Sequence, residues 1–438
     1  GCLELGAVGG DVAALLDDRD IDARVGLLEL EGHLVDERVR EVDLTALEQA
    51  PQDSRVPDQQ FATQGRAGLG QADRRAAASP LFPQVAASAR DSSSKGAGGD
   101  VGESHLFALD ARQLLFDGLK TPFEMGRAGE GINVSRWAYF VASSDVRLRL
   151  RRAYVDLLRA QDLVVMAREI ADRRKQNTDL VMLRYEAGRE HRGSLMLSQA
   201  DQAQADYNVA SALRAIELER RNLTKEMGRP RTAPLVVVGG FTLAATGPEP
   251  PDFERLFDTN PFLRQLSARK EAARWGVKSA YADYFPTIYG SIGASKSGAG
   301  WPARGDEKNI GVTMNWPLFK GGDRAAGVAK SKELLRQSEA DERSGRDGVV
   351  VTLTETWTAL RNAVEMVEVQ RKSLAAAEER AKISRAQYSI GLLSFDNWTI
   401  IEDGLVQAKN RHLDACWAEG RAEAAWVQAL GGTLEDEL

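Results

Sequence analysis

The sequence has few cysteines, few histidines and no long apolar segment. Among its 438 residues, Cys2 and Cys416 are the two cysteines, too few for a disulfide framework or a cysteine-type zinc site. The four histidines lie far apart without the spacing of metal ligands. No run of about 18 apolar residues occurs, which excludes an ordinary transmembrane helix. We therefore expect no bound metal.

Charge and motifs exclude further classes of protein. The chain carries 57 Lys and Arg against 64 Asp and Glu, and its formal net charge of −7 is too acidic for a typical nucleic-acid binder. The stretch from Gly126 to Gly131 is not the full glycine-rich phosphate fingerprint, and no P-loop occurs. No nucleophile–base constellation appears. The sequence thus predicts no enzyme, no cofactor and no nucleic-acid partner.

The N-terminal segment 1–41 is a patternless mixture of Asp, Glu, Leu, Val, Gly and Arg, and we assign it no role. It contains no signal-peptide pattern. Cys2 is either the acylated first residue of a mature lipoprotein or a cysteine at a truncated start.

An internal repeat is the strongest pattern in the chain. Phe82-Pro83 recurs 203 residues later as Phe285-Pro286. The repeat predicts two copies at 42–230 and 254–433, followed by a tail at 434–438. A Pro- and Gly-rich linker at 231–253 joins the copies. The same offset relates Leu115 to Leu318, Tyr154 to Trp357, Tyr185 to Tyr388, Gly188 to Gly391 and Gly228 to Gly431.

Each copy contains a predicted β-hairpin. After the Phe-Pro pair comes a Ser/Gly-rich stretch, Gln84 to Gly99 in the first copy and Thr287 to Gly300 in the second. A second stretch then alternates apolar and polar residues, which is typical of a strand with two different faces. The apolar face packs either on the helices of the same chain or against lipid, as in a transmembrane barrel. In the second copy, one predicted face carries Ile310, Val312, Met314 and Trp316, and the other carries Gly311, Thr313 and Asn315. In the first copy, one face carries Phe107, Leu109 and Ala111, and the other carries Ala108, Asp110 and Arg112.

A very long helix follows each hairpin. In the second copy, residues 323–389 contain no proline and would extend on the order of 100 Å as one helix. Leu353, Trp357 and Leu360 begin an apolar stripe with steps of three and four, which predicts helices packed side by side. Gly188 and Gly391 end the long helices, and Ser194 and Ser394 are expected to cap the helices that return.

Together these residues resemble the TolC-type outer membrane channel family, also called outer membrane factors. The resemblance covers about residues 42–433. It implies a mainly α protein with a small β part, and a homotrimer in the outer membrane of a Gram-negative cell. The motifs that carry it are Asn260-Pro261, Tyr284-Phe-Pro286, Trp316-Pro-Leu-Phe-Lys-Gly-Gly322, Gly188-Arg-Glu-His-Arg-Gly-Ser194 and Tyr388-Ser-Ile-Gly-Leu-Leu-Ser394.

The resemblance also implies an architecture and a function. Duplicated long-helix hairpins would form a periplasmic α-barrel, and four strands per chain would contribute to a twelve-stranded transmembrane β-barrel. Such a channel is the passive exit duct of a tripartite efflux pump, whose other members are an inner-membrane transporter and a periplasmic adaptor protein. One alternative is the outer membrane channel of a one-step (type I) protein secretion system. Another is a soluble duplicated coiled-coil structural or adaptor protein.

Two sets of site residues follow from the resemblance, which implies an acidic constriction and a polar network at the helical tips. In the family, aspartates usually occupy the positions near Asn397 and Ile400, and an arginine usually occupies the position of Leu393. This chain lacks those residues there and so departs from the pattern. For each charged candidate, ordinary solvated surface is the alternative. The constriction candidates are Tyr388, Asp396, Asn397, Glu402 and Asp403. The adaptor-contact candidates are Gly188, Arg189, Glu190, His191, Arg192, Gly391, Leu392, Leu393 and Ser394. Phe395 and Trp398 are expected to pack the returning helix.

Overall fold

The computed structural model describes residues 40–42, 68, 70–95, 101–229, 235–241, 252–257 and 259–433. Cys2, most of segment 1–41 and the tail 434–438 lie outside this part of the chain. The described residues divide into two compact units, one within 62–140 and 257–348 and the other within 1–61, 141–256 and 349–438. We call them the sheet unit and the tip unit.

The main elements that the described residues form are five long helices and six strands. The helices are α1 (Lys120–Glu186), α2 (Arg192–Glu226), α3 (Pro261–Ala282), α4 (Asp323–Ser389) and α5 (Phe395–Ala429). The strands are β1 (Arg40–Val42), β2 (Gln84–Lys95), β3 (Val101–Phe116), β4 (Leu235–Val237), β5 (Thr287–Gly298) and β6 (Gly305–Asn315). The predicted long helix at 323–389 and both predicted hairpins are confirmed. Within the described residues, no helix combines the length and apolar content that a membrane span requires.

The sheet unit contains one antiparallel sheet with the strand order β2-β3-β5-β6. Gln84 pairs with Arg112 in the first hairpin, and Thr287 pairs with Asn315 in the second. These two pairs are related by the same offset of 203 residues that relates the sequence motifs. The repeat therefore extends to the hydrogen-bonding register of the hairpins.

One face of this sheet is apolar and exposed. The register aligns Val85, Ala111, Ile292 and Ile310 across the four strands, so that they share a face. Ile310 is 85% exposed and Val85 is 66% exposed, so these side chains have little cover from the described residues. The neighbouring row, on the opposite face, aligns Ala86 with Asp110, Gly293 and Asn309. The sheet thus has the two faces that the alternation predicts.

The core of the tip unit lies where its helices pack together. Leu353 and Leu360, two members of the predicted stripe on α4, are buried, and so is Val367 further along the same helix. β1 and β4 pair in parallel, and Leu235 and Val237 of β4 join the main apolar cluster. Neither strand is predicted from the sequence, and β4 lies within the predicted linker at 231–253. Three-residue strands depend on tertiary pairing, so their local sequence carries little signal.

Candidate functional site

Two helical turns of the tip unit form the candidate site. The first connects α1 to α2 and the second connects α4 to α5. Gly188 and Gly391 adopt positive φ angles of 69° and 82°, as expected for glycines that follow a helix C-terminus. The Gly188 and Gly391 amides donate to the Tyr185 and Tyr388 carbonyl oxygens, at 2.9 and 3.0 Å. The predicted ends of the two long helices are therefore confirmed.

The caps of the returning helices differ between the two turns. Ser394 caps α5 as predicted, because its hydroxyl oxygen accepts from the Asn397 amide. The prediction that Ser194 caps α2 is wrong. His191 occupies that position, and its Nδ1 accepts from the Ser194 amide at 3.1 Å. The Ser194 hydroxyl instead donates to Glu190 at 2.9 Å.

A polar cluster links the first turn to the second. The Tyr388 hydroxyl donates to Glu190 Oε2 at 3.0 Å, and Arg184 Nη1 donates to the Tyr388 carbonyl oxygen at 2.7 Å. The Arg184 guanidinium also lies 4.5 Å from the centre of the Tyr388 ring and 3.9 Å from Glu190 Oε2. Burial, helped by the hydrogen bond to Glu190, raises the pKa of Tyr388, so the hydroxyl stays protonated and remains a donor.

The Tyr388 ring belongs to an apolar cluster. It stacks on Trp398 with ring centres 4.2 Å apart and planes 10° apart, and Phe395 packs beside both rings. Val181 and Leu195 complete the cluster from α1 and α2. The prediction that Phe395 and Trp398 pack the returning helix is confirmed. Tyr388 is fully buried, so within this chain its ring does not line an open surface, contrary to its assignment as a constriction residue.

Glu402 is also buried, with 2% of its surface exposed. Arg173 donates to both of its carboxylate oxygens, from Nε at 2.6 Å and from Nη2 at 2.8 Å. Asn177 Nδ2 donates a third hydrogen bond at 3.1 Å. The prediction that Glu402 offers a free charge to a passage does not fit this arrangement, because its charge is neutralised inside the chain.

The other acidic candidates are more accessible. Asp403 is about half exposed and pairs with Arg174, which also lies 3.7 Å from Asp201. Burial raises the pKa of Asp201, although the charge of Arg174 opposes this effect. Asp396 and Asn397 are exposed in the first turn of α5. Of the acidic candidates, Asp396 alone is both exposed and without an ion pair among the described residues.

The outer surface of the turns combines charge with exposed apolar side chains. Arg189, His191 and Arg192 are exposed, whereas Glu190 points into the cluster with Tyr388. In the second turn, Ile390 is 72% exposed and Leu392 is 76% exposed. Leu393 is partly buried and packs against the apolar cluster.

Sequence reasoning missed the basic partners of the site. Arg173 and Glu402 are 229 residues apart, and no local spacing relates them. Arg184 lies immediately before the Tyr185 motif, but its contact with Tyr388 depends on how the two helical hairpins approach each other. No group of three or more His, Cys, Asp or Glu side chains in the described part of the chain is arranged to hold a metal ion.

Comparison with known sequences gives one family match and two curated relatives. The family model described as outer membrane efflux protein matches residues 254–432. Outer membrane efflux protein BepC of Brucella suis biovar 1 is 24% identical over 381 residues, covering 83% of this chain and 80% of the relative. Alkaline protease secretion protein AprF of Pseudomonas aeruginosa is 25% identical over 344 residues, covering 73% and 69%.

Comparison with solved structures gives the same fold. The outer membrane protein VceC of Vibrio cholerae aligns with a TM-score of 0.75 at 16% identity, covering 87% of this chain and 94% of the other. The open state of the MtrE outer membrane channel of Neisseria gonorrhoeae aligns with a TM-score of 0.76 at 18% identity, covering 89% and 88%. The fold implied by the sequence motifs is thereby confirmed.

Proposed function

This chain belongs to the outer membrane efflux protein family, and from that premise we propose that it is the passive exit duct of a tripartite efflux pump. It is an outer membrane channel of a Gram-negative cell and a transport protein, not an enzyme. Its proposed partners are two further copies of itself, an inner-membrane transporter and a periplasmic adaptor protein.

The main support for this proposal is the exposed apolar face of the sheet. A sheet that stands in water packs its apolar face against the rest of the protein. Here Ile310 and Val312 are 85% and 71% exposed, as expected for side chains that face lipid. Lipid cannot satisfy the backbone groups at the open edges of β2 and β6, so the sheet must close with other copies. We propose that three copies supply twelve strands.

The helical turns are the proposed contact surface for the adaptor. Ile390 and Leu392 present apolar side chains at the tip of a helical hairpin, where a partner reaches them first. Arg189, His191 and Arg192 surround the other tip with basic and polar groups. Largely exposed apolar residues beside charge are typical of a surface that becomes buried in a complex.

Asp396 and Asn397 are the proposed lining of the constriction. Both are exposed at the start of α5, next to the turn. Three copies of Asp396 around a narrow axis would attract cations and repel anions. Asp403 is a weaker candidate because Arg174 neutralises it, and Glu402 contributes to packing instead.

A channel for one-step protein secretion is the second candidate function. The relative named alkaline protease secretion protein favours it, at an identity similar to that of the efflux relative. The two functions are separated by deleting the gene in its host and restoring it on a plasmid. Accumulation of a fluorescent dye after deletion supports efflux, and loss of an exported protein without dye accumulation supports secretion. If neither changes, both proposals are contradicted.

A matched pair of variants tests whether the apolar face of the sheet contacts lipid. Val312→Arg places a charge on the apolar face, at a cost of about 2–4 kcal/mol per copy if the site lies near the bilayer midplane. Thr313→Arg places the same charge on the polar face of the same strand. We expect Val312→Arg to reduce the amount of protein in the outer membrane fraction several-fold and Thr313→Arg to leave it unchanged. Equal amounts would show that Val312 does not face lipid.

A further inference from the structure

The apolar face of the sheet becomes charged toward the end that is remote from the helices. The helices α1, α3 and α4 connect to one end of the sheet, and the loop between β5 and β6 lies at the opposite end, which we call the loop end. Every second residue of β6 lies on the apolar face. Counted from the helical end, these residues are Met314, Val312, Ile310, Lys308 and Asp306. The face therefore changes from apolar to charged between Ile310 and Lys308.

The position of this change agrees with the height of a membrane. Ten residues separate Trp316, which directly follows β6, from Asp306. They span about 34 Å of strand, or about 26 Å in height at a tilt of about 40°, and the apolar band of a transmembrane barrel is about 25 Å tall with aromatic residues at both boundaries. At the loop end, Trp301 is 71% exposed and its ring centre lies 5.3 Å from that of Phe107, the residue paired with Lys296. The charged residues thus lie at the height of the lipid headgroups.

Basic residues outnumber acidic residues on this part of the apolar face. Lys296 and Lys308 lie on the face, and Arg304 directly precedes β6. Asp306 is the acid that β5 and β6 contribute to the same face, since Glu307 lies on the opposite one. The Asp306 carboxylate lies 3.3 Å from the Lys296 ammonium, and both side chains are about two-thirds exposed. Neither Lys308 nor Arg304 forms an ion pair within the part of the chain that the structure describes.

A shallow groove of about 550 Å³ lies beside these basic residues. Its lining includes Ala87, Ala89, Leu109 and Ala294, together with Lys296 and Lys308. The small alanine side chains leave room for an acyl chain across the strands. The groove therefore combines an apolar floor with ammonium groups beside it, as an amphipathic anion requires.

We propose that this surface binds a phosphorylated lipid of the outer leaflet, with an acyl chain in the groove and a phosphate group against Lys296 and Lys308. The inference rests on the proposed function, in which the helices extend into the periplasm and the loop end faces the cell exterior. Lysine binds phosphate as a point charge, and its long side chain extends along an apolar surface toward the headgroups. Exposed ion pairs are weak, so a phosphate group can displace Asp306 from Lys296.

The occupant is a lipid rather than a free anion because the basic groups adjoin the apolar band. Lys308 is two residues from Ile310, which lies on the same face and is 85% exposed. A free phosphate ion would gain the charge of the lysines but would leave the groove open to water. A phosphorylated lipid uses both, since basic residues at a membrane surface attract its headgroup and the groove takes its apolar part.

The test measures binding of lipid A, which carries phosphate groups and acyl chains, and of the same lipid without phosphate. Native mass spectrometry of the full chain, extracted in detergent, counts the lipids bound to each particle. We expect the unmodified chain to bind lipid A at least about tenfold more tightly than the phosphate-free lipid. We expect Lys296→Gln/Lys308→Gln to bind lipid A about 30-fold more weakly, because each basic residue near an anionic lipid surface contributes about fivefold in affinity.

Two further variants complete the comparison. Arg90→Gln removes a positive charge at the same height but from the polar face, since Arg90 pairs with Leu106 and Leu106 pairs with Ser297. We expect its binding of lipid A to be unchanged. Asp306→Asn removes the acid beside Lys296, and we expect it to strengthen the binding of lipid A several-fold.

The outcomes separate this inference from the channel function, because conductance in lipid bilayers is recorded for the unmodified chain and each variant. Equal binding of the two lipids by the unmodified chain would contradict the inference, as would equal binding of lipid A by the lysine variant and Arg90→Gln. If the lysine variant does not assemble, Asp306→Asn decides, and unchanged or weaker binding overturns the inference. In these cases the channel function stands. An unmodified chain that forms no channel contradicts the proposed function and the inference with it.

Discussion

Replacing Glu402 by glutamine should loosen the contact between α1 and α5. The change removes the negative charge that Arg173 and Asn177 surround with three hydrogen bonds. Removing one partner of a fully buried ion pair costs about 3–5 kcal/mol, whereas exposed pairs contribute at most about 1 kcal/mol. Glu402 is 2% exposed and Arg173 is 28% exposed, so this pair lies between the two limits. We therefore expect the substitution to cost about 2–3 kcal/mol of local stability.

Hydrogen exchange followed by mass spectrometry measures this loss locally. A decrease of about 2–3 kcal/mol in the free energy of local opening accelerates amide exchange roughly 30- to 150-fold. We expect this acceleration in peptides from the first half of α5 and in the facing segment of α1. The assay is performed on the assembled protein in detergent, so it does not require reversible unfolding.

A matched variant gives the baseline for this measurement. Glu379→Gln breaks an exposed pair with Lys382, 4.0 Å apart, and we expect no detectable change in exchange. Replacing both partners together, as Arg173→Met/Glu402→Leu, should restore most of the protection because no buried charge is left unpaired. If Glu402→Gln exchanges no faster than Glu379→Gln, the Glu402 carboxylate does not hold the two helices together.

Three further variants test other groups of the tip unit. Tyr388→Phe removes the donor to Glu190 but keeps the stacked ring. Losing about 1.5 kcal/mol from this hydrogen bond should raise the open probability about tenfold in bilayer recordings. An unchanged open probability would show that the bond does not restrain the tips. Asp396→Asn should reduce cation selectivity, measured as the reversal potential in a salt gradient, whereas Glu402→Gln should not; equal effects would remove Asp396 from the constriction. Burial raises the pKa of Asp162 from 3.8 to about 6, so the folded chain holds this proton more tightly than the unfolded chain does. Its contribution to stability is therefore greatest below both pKa values and is lost as the pH rises through about 6. Asp162→Asn should raise the unfolding temperature at about pH 8 and leave it unchanged at about pH 3; the same increase at both pH values would contradict this assignment.

Much of the architecture could be predicted because its signals are local. Period-two alternation in residues 310–315 indicates the second half of β6 and its two faces, and the glycines at 188 and 391 mark the ends of the long helices. The offset of 203 residues predicts two equivalent hairpins. The structure adds that the equivalence includes their register and that β3 joins β5 at a stagger.

The contacts of the candidate site could not be predicted in the same way. The ion pair between Arg173 and Glu402 depends on the rotation of α1 and α5 about their axes, which composition does not fix. The side-chain cap of α2 is His191 rather than Ser194, because the helix already begins at Arg192, two residues before Ser194. A carboxylate on a helix looks the same in sequence whether it faces solvent, as Asp396 does, or an arginine, as Glu402 does.

The number of copies in the purified particle shows whether several chains complete one channel. Native mass spectrometry of the detergent-extracted protein from the outer membrane fraction measures it without modification of the chain. We expect a particle with three times the mass of one chain. A single chain that remains in solution without detergent would show that the apolar face of its sheet needs neither lipid nor further copies.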